Sequence, residues 1–141
     1  MNARRALALL AALTLLAAGC ASPRLQPMPV RALELETDCA YTDEAGYAVS
    51  ARAEVRQAEV IRFDATVSTP PHGSCRFDGP FRQVRRLPHV ELVASDGCRV
   101  SLWEQDEQVT IAFNDCARRC TPGAFDYVWP IIVDRSDGQC H

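Results

Sequence analysis

The segment HVELVASDGCRVSLWEQDEQVTIAFN, residues 89 to 114, decides the fold of this chain. Its apolar residues alternate with polar ones, which is the pattern of strands that bury one face. If Ser95-Asp96-Gly97 is a three-residue hairpin loop with Gly97 in the left-handed conformation, apolar residues face each other across the ladder, as Leu92 faces Val100. A two-residue loop would place apolar residues opposite polar ones, which a half-buried sheet disfavours. The segment therefore predicts a hairpin with the longer loop.

The same inward face continues after the hairpin, through Val109, Ile111 and Phe113. The acidic stretch from Glu104 to Gln108, which precedes these residues, forms a solvent-exposed turn. Together these features predict a three-stranded antiparallel meander.

Alternation of the same kind occurs before the meander, from Tyr47 to Val55 and again from Ile61 to Val67. Residues 56 to 59 interrupt it, so we expect two strands there. The alternative is one helix across residues 51 to 63, because Ala, Glu, Arg and Gln have good helix propensity.

A last alternating run extends from Phe125 to Val133, and Pro130 in it predicts an edge strand or a bulge. Short strands separated by Gly, Pro and Asp, without a long helical pattern, indicate an all-β fold. We expect a small antiparallel barrel or sandwich of seven to eight short strands, stapled by disulfides.

The N-terminal segment has the features of a bacterial export signal. Arg4 and Arg5 precede an apolar run from Ala6 to Ala18, which is too short for a spanning helix. Small residues then lead to Cys20. The segment Leu16-Ala17-Ala18-Gly19-Cys20 resembles the lipobox signal of bacterial lipoproteins.

That resemblance implies cleavage before Cys20, a lipidated Cys20 and, because Ala21 follows it, delivery to the outer membrane. We therefore expect a cell-envelope protein with a signal peptide over residues 1–19 and a lipidated tether over 20–29. The tether is rich in proline, and we expect the folded domain over residues 30–141.

The charge of the mature domain is negative. Signal removal takes away two of 15 basic residues and none of 18 acidic ones, which leaves a net charge of −5. Arginines cluster at Arg82, Arg85 and Arg86 and at Arg118 and Arg119, but an acidic exported domain argues for solvated turns there. We expect no nucleic-acid partner.

Six cysteines remain once Cys20 is assigned to lipid: Cys39, Cys75, Cys98, Cys116, Cys120 and Cys140. An even number in an oxidising compartment predicts three disulfides, with fifteen connectivities open. Cys75 and Cys98 both begin strands, so that pair is one candidate. The alternative is a zinc site from Cys116, Cys120, Cys140 and His141. We favour disulfides and expect no metal and no cofactor.

No catalytic constellation is apparent in the sequence. His72, Ser74 and Cys75 lie close together, but the adjacent prolines and Gly73 indicate a surface loop. We therefore expect no enzymatic activity. Trp103 falls on the polar face of the meander, where it either anchors a partner or is covered by a second layer.

The stretch from Cys116 to Tyr127 resembles the C-terminal part of small bacterial lysozyme-inhibitor lipoproteins, which are disulfide-stapled β-barrels. The resemblance rests on a strand, a Cys-x3-Cys pair, a loop of small residues and an aromatic segment. It implies that the loop enters the catalytic cleft of a lysozyme, and it makes Thr121, Gly123 and Tyr127 candidate binding residues. The acidic domain and a basic host lysozyme would carry opposite net charges, which would speed their encounter.

Two functions follow as hypotheses. The first is a lipid-anchored envelope binding module that inhibits lysozyme or a similar envelope-directed enzyme. The second is a structural or assembly lipoprotein of the outer membrane without inhibitory activity. In both, the partners are the membrane, through the N-terminal lipid, and a protein.

Overall fold

The computed structural model describes Pro27 and residues 29–141. The predicted signal peptide, Cys20 and most of the predicted tether lie outside the described residues. Pro27 and Pro29 are exposed, and the chain is first buried at Leu33. None of the helices in the described part is long and apolar enough to span a bilayer.

Nine strands occur in the described part of the chain, and all neighbouring strands are antiparallel. The strands are β1 (Leu35–Thr42), β2 (Ala48–Arg56), β3 (Glu59–Thr69), β4 (Gly73–Asp78), β5 (Phe81–Arg85), β6 (Val90–Ala94), β7 (Arg99–Gln105), β8 (Gln108–Asn114) and β9 (Ile131–Asp134). Sheet A has the order β1-β2-β3-β4, and sheet B has the order β5-β6-β7-β8-β9. Hydrogen-bonded strand pairing stays within each sheet, and the two sheets form a sandwich.

The predicted all-β fold is confirmed, with more strands than the pattern indicated. The strands without a counterpart in the sequence analysis are β1 and β5, and β5 is rich in arginine and carries a register shift between Gln83 and Arg85. A bulge of this kind breaks the alternation that identifies a strand in sequence.

The meander has the predicted register. Leu92 pairs with Val100 and Val90 with Leu102. The loop closes when the N–H of Ala94 donates to the carbonyl of Cys98 at 2.9 Å, and Gly97 takes a φ of 89°. The segment before the meander forms two strands and not the alternative single helix. β2 and β3 are two strands, because Gln57 and Ala58 have φ values of 49° and 59° and turn the chain back.

The core lies between the two sheets. Phe77 of β4 stacks on Phe113 of β8, with ring centroids 3.8 Å apart, and Phe63 of β3 meets Phe81 of β5 edge to face at 5.8 Å. Aromatic pairs add to the free energy that burial itself supplies. These contacts join sheet A to sheet B.

Three disulfides form, as predicted, and they pair Cys39 with Cys140, Cys75 with Cys120 and Cys98 with Cys116. The candidate pair Cys75–Cys98 is wrong. Cys75 lies on the edge of sheet A, whereas Cys98 lies in a turn of sheet B beside the end of β8. Cys116, Cys120 and Cys140 belong to three different disulfides, so the alternative zinc set is not assembled.

The predicted strand from Phe125 to Val133 is wrong in its first half. Gly123 has a φ of 83° and begins a 3₁₀ turn over Ala124–Tyr127, and β9 starts only at Ile131. Pro130 has no N–H to donate, so the ladder begins immediately after it.

The chain itself covers two sheet edges. Along β4, Cys75 bridges to Cys120 and the N–H of Thr121 donates to the carbonyl of Ser74 at 2.9 Å. Along β9, His141 and Ile132 exchange both backbone hydrogen bonds.

Candidate functional site

An aromatic groove lies at one end of sheet A. The β1–β2 turn and the β3–β4 turn meet there, and the segment from Tyr127 to Trp129 lies beside them. The groove has a volume of about 360 Å³. We call it the aromatic groove; it is lined by Tyr41, Asp43, Ala45, Tyr47, Thr69, Pro70, His72, Tyr127 and Trp129.

The linker between β8 and β9 is held against β4 before it reaches the groove. The Cys75–Cys120 disulfide ties its base to the sheet. Oγ1 of Thr121 then accepts a hydrogen bond from the N–H of Ser74 at 3.2 Å. Three residues later, Ala124 is completely buried. Tyr127 and Trp129 are therefore carried on a segment with fixed attachments.

Two contacts set the positions of the aromatic residues in the linker. The ring of Tyr127 stacks on the ring of His72, with centroids 3.5 Å apart and planes 3° apart. The backbone N–H of Trp129 donates to the hydroxyl of Tyr47 at 3.0 Å. Neither contact covers the side chain of Trp129, which is 72% exposed, while Tyr127 is 47% exposed.

One carboxylate lines the groove. Oδ1 of Asp43 accepts hydrogen bonds from the N–H groups of Ala45 at 2.8 Å and Tyr47 at 2.9 Å. Such a side-chain cap fixes the β1–β2 turn. Asp43 thus has both a structural role and a charge that faces the groove.

Burial raises the pKa of the Tyr41 phenol, and nearby Tyr47 and the Asp43 carboxylate raise it further. Burial likewise raises the pKa of Tyr47; the Asp43 carboxylate adds to the increase, and the hydrogen bond from Trp129 opposes it. Both phenols are therefore neutral at physiological pH, and they present uncharged rings to the groove.

The predicted binding residues fall at different places. Tyr127 lines the groove, whereas Thr121 anchors the linker and Gly123 forms its exposed tip. These three residues are close in the chain, but Tyr127 alone among them contributes to the groove lining.

Trp103 lies elsewhere. It is half-buried, and it lines a depression of about 440 Å³ with Arg31, Pro88 and His89 among its neighbours. That depression shares no residue with the aromatic groove. Trp103 is therefore neither fully covered nor part of the same surface as Tyr127.

The sequence analysis missed most of the groove, including Tyr41, Tyr47, His72 and Trp129. The alternation from Phe125 to Val133 predicts that Trp129 lies on the same side of one continuous strand as Ile131 and Val133. The signal that points elsewhere is Pro130, because a residue before proline is restricted and the proline itself cannot join the ladder.

Within residues 29–141, no group of three or more His, Cys, Asp or Glu side chains is arranged to hold a metal ion. The absence of a cofactor stays a prediction. Comparison with known proteins finds no matching family model, no similar curated protein and no similar solved structure.

Proposed function

We propose that this chain is a non-enzymatic binding module of the bacterial cell envelope, anchored by lipid at Cys20, which engages a protein partner through the aromatic groove. The observation that carries the proposal is the exposure of Trp129 on a segment that the fold holds in place. Large aromatic side chains on a backbone that is already held in place supply contact area without the entropic cost of ordering that backbone.

The ordering of the groove supports binding. The Cys75–Cys120 disulfide, the Thr121–Ser74 hydrogen bond and the Trp129–Tyr47 hydrogen bond all act on the linker that carries the exposed rings. A partner would meet a surface that needs little rearrangement, which favours affinity.

The roles of the titratable groups support binding over catalysis. Asp43 caps its own turn, and the ring of His72 is stacked on Tyr127. A general base needs a third group that orients it and a proton within reach. Structural use of both side chains is the simpler account.

The position of the groove suits an anchored protein. The described chain enters the sandwich near Leu35, at the start of β1, and Tyr41 lies near the other end of that strand. Six residues of extended strand separate the two positions by about 20 Å. A lipid attached upstream would hold the entry end near the membrane and direct the groove away from it.

Site-specific photocrosslinking tests the proposal. The full chain, expressed in its native host with its own export signal, receives a photoreactive phenylalanine analogue at Trp129 or, as control, at Ile61. Ile61 is also exposed, at 58%, and lies near the opposite end of β3. We expect a defined crosslinked protein from position 129 that is absent from position 61. Equal or absent crosslinking at both positions would overturn the proposal.

Lysozyme is the first target to examine, because of the resemblance in the C-terminal segment. The rate of cell-wall hydrolysis is measured with the full chain and with Trp129→Ala. Inhibition that the variant weakens at least about tenfold supports the inhibitor hypothesis, since tenfold corresponds to the loss of one good contact. A crosslinked envelope protein without any effect on lysozyme supports the assembly hypothesis.

A further inference from the structure

The aromatic groove has a carboxylate in its lining and no basic side chain that is permanently charged. The chain has 15 arginines, yet none of the residues that line the groove is an arginine, and the lining contains the carboxylate of Asp43. Glu44 follows in the same turn. The local charge of the groove therefore favours a positively charged ligand.

The side chain of Asp43 is held in place through one carboxylate oxygen, and the other oxygen is free to accept a hydrogen bond. Its Oδ1 receives two backbone N–H groups, which hold the carboxylate within the β1–β2 turn. The described residues donate no hydrogen bond to its Oδ2. That oxygen is available to a cationic donor that enters the groove, and charge-assisted hydrogen bonds are the stronger kind.

The aromatic rings supply the second half of a cation site. The face of an aromatic ring is electron-rich and attracts a guanidinium or ammonium group, and tryptophan does so best. Trp129 is exposed, and the phenols of Tyr41 and Tyr47 stay neutral because burial raises the pKa of each. A cation over these rings would lie in the same groove as the Asp43 carboxylate.

We infer that the aromatic groove binds a cationic side chain, arginine or lysine, of a basic protein partner, with Trp129 providing the ring face and Asp43 the counter-charge. The inference rests on the proposed function and specifies the chemistry of the partner. A neutral glycan would stack on the same rings and could donate hydroxyl hydrogen bonds to Asp43, but it would lack the attraction between opposite charges that a cation has for the carboxylate. The preference for a charged probe over its neutral isostere therefore distinguishes the two ligand classes.

The test is an NMR titration of the full chain in detergent, in which the indole N–H signal of Trp129 is assigned by its loss in Trp129→Phe. The probes are Nα-acetyl-arginine amide and its neutral isostere Nα-acetyl-citrulline amide, at millimolar concentration. We expect the arginine probe to shift the Trp129 signal and the citrulline probe to bind about tenfold more weakly.

Asp43→Asn is the decisive variant, because asparagine keeps the oxygen that caps the turn and removes the charge. We expect it to weaken the arginine probe about tenfold, to the level of citrulline. The control is Asp137→Asn, which makes the same change at a carboxylate that accepts the N–H of Gln139 in the turn after β9. The control should bind the arginine probe as the native chain does.

Equal binding of arginine and citrulline would overturn the inference, and so would unchanged arginine binding in Asp43→Asn. A third titration with the N-acetylglucosamine trimer tests a glycan: preferential binding of that probe also overturns the cation assignment. The proposed function is judged separately by crosslinking at Trp129. If that crosslink forms while the arginine probe fails to bind, the partner is not cationic but the groove is still its binding site.

Discussion

Arg119 donates a hydrogen bond from Nε to Oδ2 of Asp96 at 2.9 Å, and so joins the loop after β8 to the β6–β7 turn. The same guanidinium donates to the carbonyl of Asp78 and lies over the ring of Phe81, 5.0 Å from its centroid. Its side chain is only 14% exposed. The expectation of a solvated turn therefore fails at Arg119, which links three elements of the sandwich.

Arg119→Ala should lower the free energy of unfolding by about 2 kcal/mol, because it removes a charge-assisted hydrogen bond and a cation–π contact. Equilibrium unfolding in urea measures the loss. The neighbouring Arg118 is exposed, so Arg118→Ala should change stability by less than about 0.5 kcal/mol. Equal effects of the two substitutions would contradict this role for Arg119.

Asp96 should make the domain sensitive to acid. The N–H of Cys98 and the Arg119 guanidinium lower the pKa of Asp96 below its ordinary 3.8, although desolvation opposes them. The carboxylate therefore stabilises the fold fully at pH values above its ordinary pKa of 3.8. Its contribution is lost as the pH falls through the lower pKa of the folded state.

The measurement compares the unfolding free energy of the native chain and Asp96→Asn between pH 6 and pH 2. We expect a steeper loss in the native chain. Arg119→Ala should reduce the slope only in part, because the N–H of Cys98 remains. Parallel curves for the native chain and Asp96→Asn would refute the assignment.

Gly73→Ala should disturb the attachment of the linker to β4. Gly73 has a φ of 122°, and a Cβ there would lie 2.4 Å from Cβ of Thr121. Gly97 also has a positive φ, 89°, but a Cβ there meets nothing within 4 Å. Gly97→Ala should cost about 1 kcal/mol from the backbone alone, and Gly73→Ala about 1 to 3 kcal/mol more. Thermal unfolding of both variants checks the difference, and equal losses would show that Thr121 moves aside freely.

The Cys39–Cys140 disulfide should be essential for stability. It closes a loop with a sequence separation of 101 residues, and so constrains the unfolded chain strongly. Replacement of both cysteines by alanine should lower the unfolding free energy by about 4 to 5 kcal/mol, much of the net stability of a small domain. Denaturant unfolding of the double variant provides the value. A loss below about 1 kcal/mol would mean that other contacts already restrict the chain ends.

The meander was predictable in detail because its register depends on neighbours in sequence. Val90, Leu92, Val100 and Leu102 lie on one side of a short hairpin, and a two-residue loop would shift the register by one and place polar residues opposite them. Local patterning was sufficient there, since every pairing partner is within about a dozen residues.

The disulfides and the groove depend on contacts that are distant in sequence. Cys75 meets Cys120 because the linker after β8 returns to the edge of sheet A, and no local pattern specifies that return. The alternation from Phe125 to Val133 also suits a 3₁₀ turn followed by an extended linker, so periodicity alone could not place Trp129 outside the sheet.

The covering of β4 by Cys120 and Thr121, and of β9 by His141, has a consequence for colloidal behaviour. A bare sheet edge recruits strands from other molecules and seeds aggregation, whereas these two edges already have backbone partners within the same chain. For a protein that we propose is crowded on a two-dimensional lipid surface, this covering leaves side chains, and not main-chain hydrogen bonds, to govern which neighbours adhere along β4 and β9.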